Sequence, residues 1–288
     1  MPSLSTSSHL GSLEGRSPVT VKDLQAKKNR GEPIVATTCY DYSMARIIDQ
    51  TAVDFVLVGD SLGSVMLGYS STIPVTMDHM LVFSAAVSSG LTRALCVSDM
   101  PFLSYQASLS VAFENARHLM QKGGAQALKI EGSSEIALST VRAFVDAGIC
   151  VMGHLGYTPQ SKHRFGKQYL QATTAEDGDV LVRQAQALEE AGVFSVVLEM
   201  VPTEIAAKVA KALSVPVIGI GAGARVDGQI LVLQDLLGMN PSFKPRFLKT
   251  FGSVYDNIEE ALHRYVGEVK EGVFPGKEQS FFTKDFPS

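Results

Sequence analysis

The sequence predicts an α/β protein folded as a (β/α)8 TIM barrel. Eight strand-like runs alternate with helical patterns along the chain. The strand-like runs are continuously apolar rather than alternating, as in parallel strands buried on both faces. Gly-Gly or Ala-Gly pairs at 123–124, 147–148 and 191–192 close helices just before the next strand, where glycine tolerates the left-handed conformation that ends a helix. A doubly wound open sheet shares the alternation but usually has fewer strands.

The elements follow in order. Residues 1–17, rich in Ser, Leu and Gly, read as a flexible tail. They lack the apolar core of a secretory signal, and Glu14 with the single Arg16 speaks against an organellar transit peptide. Residues 18–288 read as one catalytic barrel domain. Thr20, with Asp23 three residues on, caps a short first helix. Strands are expected at 34–39, 55–59, 94–98, 127–130, 149–153, 196–198, 217–220 and 247–250. Helices are expected at 42–50, 76–89, 108–122, 134–146, 175–191, 203–213 and 228–236, with a last one at 254–270.

Bulk properties exclude several classes. Apolar residues are 45% of the 288, enough for a sizeable core and too many for a disordered chain. A formal charge of −4, with no basic run, argues against a nucleic-acid partner. No apolar stretch is long enough to span a membrane. Cys39, Cys96 and Cys150 fall in expected strands without Cys-x-x-Cys spacing, and read as reduced thiols of a cytoplasmic enzyme.

Four strand-like runs end in ionisable residues: Asp60 with Ser61 after 55–59, Asp99 after 94–98, Lys129 and Glu131 around 127–130, and Glu199 after 196–198. A core strand has no structural need for a carboxylate at its tip, whereas barrels that place their chemistry at the carboxyl ends of strands do. Lys129 and Glu131, two apart, share a strand face. A lysine inside a barrel needs anionic partners, which Asp60, Asp99, Glu131 or an anionic substrate would supply.

Hard cations such as Mg²⁺ prefer carboxylate oxygens, and a 2-oxo acid chelates through adjacent carboxylate and carbonyl oxygens. Metal and Lys129 together would stabilise an enolate. Zinc is disfavoured, because no His pair has ligand spacing and no cysteine accompanies the carboxylates. Glu199 precedes the apolar Met200-Val201-Pro202, a setting that suits a general base. His154, also at a strand tip, is evenly balanced between a structural and a catalytic reading. The run Gly219 to Gly223 fits the spacing of a dinucleotide fingerprint but reads better as a tight turn, since no acid-tipped strand follows at the usual distance. The long stretch 156–174 has the composition of a lid.

These motifs resemble the ketopantoate hydroxymethyltransferase family. In order they are Val58-Gly-Asp-Ser-Leu-Gly63, Thr72-Ile-Pro-Val-Thr76, Asp99-Met-Pro-Phe102, Lys129-Ile-Glu-Gly132, Gly153-His-Leu-Gly-Tyr-Thr-Pro-Gln-Ser161, Leu198-Glu-Met-Val-Pro202, Ile218-Gly-Ile-Gly-Ala-Gly223 and Asp227-Gly-Gln-Ile-Leu231. The resemblance runs from about Val19 to Phe281. It implies a barrel of the phosphoenolpyruvate/pyruvate type with Mg²⁺ as the metal. By position it makes Asp60, Asp99 and Glu131 metal-site carboxylates, and Asp60, Ser61, Asp99 and Lys129 contacts to the 2-oxo acid. Glu199 becomes the proton acceptor. The implied reaction moves a hydroxymethyl group from 5,10-methylenetetrahydrofolate to 3-methyl-2-oxobutanoate through a Mg-stabilised enolate, giving 2-dehydropantoate and tetrahydrofolate for pantothenate synthesis. A cytoplasmic homo-oligomer, often a decamer, is implied as well.

The chain departs from the family's pattern at Lys167 to Ala172, at Ser133 and at Gln279, none of them a proposed metal or base position. Two other functions compete. A Mg²⁺-dependent carbon–carbon lyase acting on a 2-oxo acid or 2-methylisocitrate-like substrate would use similar chemistry but would carry a cysteine in a catalytic loop, and no cysteine falls in an expected loop. A non-enzymatic binding barrel would have no reason to keep all five ionisable positions.

Overall fold

Apolar runs at Ile34–Thr38 (β1), Phe55–Val58 (β2), Leu95–Asp99 (β3) and Ala127–Glu131 (β4) form the first half of the sheet in the computed structural model. Val151–Gly156 (β5), Ser195–Glu199 (β6), Val217–Ile220 (β7) and Gly228–Leu231 (β8) form the second. The strands are parallel and close in sequence order, with β8 paired back onto β1. The structure describes residues 17–166 and 169–283. The expected tail lies outside the described residues except for Ser17, and so do Lys167 and Gln168.

Helix α1 (Val21–Arg30) precedes β1, and its predicted capping box between Thr20 and Asp23 is formed. After β1 comes α2 (Tyr42–Asp49), and after β2 come the short α3 (Leu62–Val65) and then α4 (Met77–Gly90). Helix α5 (Leu109–Arg117) continues into a π-helical turn, His118–Lys122. Helices α6 (Glu135–Asp146), the short α7 (Lys162–Phe165), α8 (Ala175–Glu190) and α9 (Thr203–Ala212) follow β4, β5 and β6. The chain then forms α10 (Leu233–Leu236) and α11 (Val254–Lys270). Side chains of Asp41, Thr76, Ser108, Ser134 and Thr174 each accept a backbone N–H at a helix start, satisfying donors the helix itself cannot.

The chain divides into two compact units, one ending at Leu233 and one beginning at Gln234. The barrel lies in the first. Its interior is filled by Ile34, Ala36, Phe55, Leu57, Leu95, Val97, Ala127, Met152, Val197, Ile218 and Ile230, with Leu24 of α1 in the same cluster.

The eighth strand is not where the sequence pattern placed it. Residues 247–250 form no strand, and the first part of the stretch expected as a helix at 228–236 is β8. The chain reaches β8 from β7 through residues 221–227 with no helix between, so the strict strand–helix alternation fails at that step. Gly228 explains the misreading. It looks like a strand breaker, yet a Cβ there would stand 2.5 Å from the Ile34 carbonyl oxygen. Only glycine lets β8 come this close to β1.

Candidate active site

Strand parity builds the site. On β3, Leu95 and Val97 face the barrel core, and Asp99 is the next residue on that face. On β4, Ala127 in the core leads to Lys129 and then Glu131. Met152 leads to His154 on β5, and Val197 to Glu199 on β6. Register sets Asp99 beside Lys129 and Glu131 beside His154. Asp60 and Ser61 arrive from the turn after β2, at the entry to α3.

One network results. Lys129 Nζ lies 2.9 Å from Asp99 Oδ1, 3.5 Å from Glu131 Oε1 and 3.2 Å from His154 Nδ1. Asp99 Oδ2 accepts the Asp60 N–H at 2.9 Å. His154 Nδ1 is 3.3 Å from Glu131 Oε1, and its Nε2 is 3.4 Å from Glu199 Oε2. Asp60, Asp99, Lys129, Glu131 and His154 are each less than a tenth exposed. Glu199 is more open, with its side chain 15% exposed.

Burial and crowding set the charges. Burial raises the Asp60 carboxyl well above the usual carboxylate range, and the Asp99 and Glu131 charges raise it further. Burial also raises Asp99, against the pull of Lys129. For Glu131 the burial cost is outweighed by Lys129 and His154, which hold it below its ordinary value. Burial would push the Lys129 ammonium down, but Asp99, Glu131 and Asp60 hold it above its usual value. Burial and the Lys129 charge push His154 down, and Glu131 and Glu199 outweigh them, bringing it up to about 9.

Four carboxylates thus face two cationic side chains. Among the described residues no group of three or more His, Cys, Asp or Glu side chains converges closely enough to hold a metal as it stands. The donor chemistry nevertheless fits a hard divalent cation at Asp60 and Asp99. Their ligands are carboxylate oxygens, Asp99 Oδ1 has no hydrogen bond beyond its Lys129 ion pair, and a cation would offset both the burial and the Asp99 and Glu131 repulsion that raise Asp60. Glu131 Oε1 likewise has no hydrogen bond beyond its ion pairs with Lys129 and His154, while its Oε2 accepts the Gln160 N–H at 3.0 Å.

Of the expected site residues, Asp60, Asp99, Lys129 and Glu131 meet directly, and Glu199 joins them through His154. Ser61 sits at the edge, with its Oγ 2.7 Å from the Tyr40 hydroxyl. Sequence reasoning gave no role to Tyr40, to Tyr105, whose hydroxyl donates to the Glu131 carbonyl at 3.1 Å, or to Gln160. Gln160 does stand within the quoted run from Gly153 to Ser161, which was its only signal.

The glycine run after β7 is a turn. Gly221 and Gly223 have φ of 62° and 76°, and a Cβ on Gly223 would strike Thr203 of α9. Cys39 lies just past β1 rather than within it, and burial pushes its thiol up to about 11, so it stays protonated. The stretch after β5 carries α7 and walls a cavity of about 840 Å³ whose lining includes Glu131, Tyr105, Phe102, Gln160, Arg164 and Phe165.

The closed parallel barrel has distant counterparts among solved structures. One is 2,3-dimethylmalate lyase, a PEP mutase/isocitrate lyase superfamily member, with a TM-score of 0.56 and 15% identity over 92% of each chain. Another is phosphonopyruvate hydrolase in complex with oxalate and Mg²⁺, with a TM-score of 0.58 and 12% identity over 91% of this chain and 93% of that one. At these identities the likeness establishes the barrel type alone. Sequence comparison reaches further. The 3-methyl-2-oxobutanoate hydroxymethyltransferase of Caldicellulosiruptor bescii is 50% identical over 263 residues, covering 91% of this chain and 99% of the relative. The ketopantoate hydroxymethyltransferase family model matches residues 18–277, a span holding every strand of the barrel and every acid of the network, and the chain belongs to that family.

Proposed function

We propose that the protein transfers a hydroxymethyl group from 5,10-methylenetetrahydrofolate to 3-methyl-2-oxobutanoate, giving 2-dehydropantoate and tetrahydrofolate in pantothenate biosynthesis. A water supplies the new hydroxyl. The observation that carries the reading is Lys129 held by Asp99 and Glu131 at the strand ends, with His154 beside it and Glu199 on the far side of His154.

Asp60, Asp99 and Glu131 would hold Mg²⁺, directly or through water. When bound, the cation would draw electron density from the chelated carboxylate and carbonyl oxygens and so acidify the neighbouring C–H. Lys129, itself buried, offers a positive charge to the substrate anion from surroundings where that charge acts strongly. Ser61, steadied by Tyr40, adds a hydroxyl at the edge. Glu199 accepts the C3 proton, and His154 aims its carboxylate. The adjoining cavity, with aromatic rings and Arg164, suits the flat heterocycle and anionic tail of the folate. Cys39 is fully buried and no cysteine is among the residues lining the adjoining cavity, so no observation favours the cysteine-dependent lyase.

We also place the protein in the cytoplasm as a homo-oligomer, a decamer by family resemblance. Its cysteines are unpaired, and no described helix is long and apolar enough to cross a membrane. Helix α11 exposes Tyr255, Ile258, Leu262, Tyr265 and Val269, a helical stripe that a partner surface would cover. The mass in solution checks the assembly.

The deciding assay supplies 3-methyl-2-oxobutanoate, methylenetetrahydrofolate and Mg²⁺, with and without EDTA. Production of 2-dehydropantoate that EDTA abolishes is expected. Folded protein that makes none would sink the reading.

A further inference from the structure

Gln160 reaches the carboxylates from outside the strands that bear them. It lies in the short 3-10 turn Pro159–Ser161, which opens the stretch after β5, and it is less than a tenth exposed. Its Nε2 donates to Asp60 Oδ2 and to the Met100 carbonyl, each at 2.9 Å. Its main-chain N–H donates to Glu131 Oε2 at 3.0 Å. Two acceptors on one nitrogen fix which way the amide points, since the flipped amide would set oxygen against oxygen. That orientation leaves Gln160 Oε1 buried without a hydrogen-bond partner.

The chemistry of an amide suits this position. A lysine would neutralise Asp60 and compete with a cation. An uncharged donor holds one carboxylate oxygen and leaves the negative charge in place. The same turn, with Thr158 and Ser161, is part of the wall of the large cavity.

Building on the function proposed above, we propose that Gln160 is a positioning residue: its amide holds Asp60 and its main-chain N–H holds Glu131, so the carboxylates and the cavity wall fix one another. A filled carboxylate cluster then stiffens the wall against which the one-carbon donor docks. Gln160 Oε1 adds an acceptor for a donor that enters with the ligands, such as a water.

The test uses the full chain without folate. Calorimetry measures binding of Mg²⁺ with 3-methyl-2-oxobutanoate, and hydrogen exchange follows the backbone amides of residues 157–166. In the wild type, binding is expected to slow exchange across that segment. Gln160→Met keeps the bulk and loses the donor. It should weaken binding about tenfold to a hundredfold, the loss expected for one hydrogen bond to a charged group, and should abolish the ligand-dependent slowing. Gln160→Asn, too short to span both acceptors, should do the same and serves if the Met variant does not fold. Wild-type affinity and wild-type slowing in a folded variant would overturn the inference while leaving the proposed function standing. A wild type that binds neither Mg²⁺ nor the oxo acid would overturn both.

Discussion

His154 Nε2 stands 3.4 Å from Glu199 Oε2, and the other ring nitrogen faces Glu131. One imidazole therefore joins the proposed base to the buried carboxylates. Glu199 is the less buried end of this link.

Glu199→Gln keeps the shape and removes the base. Exchange of the C3 hydrogen of 3-methyl-2-oxobutanoate with D₂O, followed by NMR, should slow by about 10²–10⁴-fold. Mg²⁺ binding should persist. Undiminished exchange would move the base elsewhere.

Lys129→Met strips the buried cation from between Asp99 and Glu131. Removing one partner of a buried pair costs about 3–5 kcal/mol, so the variant should melt well below the wild type in EDTA. Excess Mg²⁺ should raise its Tm by more than it raises the wild type's. Equal Mg²⁺ responses in a thermal melt would count against a cation at Asp60 and Asp99.

Asp49 tests the pH dependence of the scaffold. Its carboxylate accepts the N–H groups of Thr92, Arg93 and Ala94 and the Thr92 hydroxyl. Burial works against it, but these bonds hold its pKa below the ordinary 3.8. A folded-state pKa below the unfolded one gives stability that is present above pH 3.8 and lost as pH falls through the folded value. Asp49→Ala should cost about 1–3 kcal/mol at pH 7, and the gap to wild type should narrow below pH 3.8. Urea unfolding at pH 7 and at pH 3 measures it.

Gly228→Ala places a Cβ against the Ile34 carbonyl. The β1–β8 seam must then shift, at a cost of about 1–3 kcal/mol in chemical unfolding. A variant as stable as wild type would show that the seam tolerates a side chain.

Most of the barrel could be read locally from continuously apolar runs between helical patterns, and the facing of most site residues from period two along a strand. Leu95, Val97 and Asp99 form one inward column, as do Ala127, Lys129 and Glu131, so a strand tip that turns ionisable names its own direction. Gln160 could not be found this way. It meets Asp60 across 100 positions, from a loop with no periodicity to reveal its target. The eighth strand was missed for a related reason. Gly228–Leu231 has four residues and no preceding helix, and what defines it is pairing with β1 at the opposite end of the barrel sequence.

Helix α1 bears on the order in which the molecule is made. Besides placing Leu24 in the barrel core, it bonds Lys27 to Asp54 ahead of β2 and Lys28 to Asp227 ahead of β8. The second partner lies 199 positions downstream. A ribosome emits α1 and Asp54 long before Asp227, so Lys27 can be fastened early while Lys28 must wait until Asp227 and β8 emerge together.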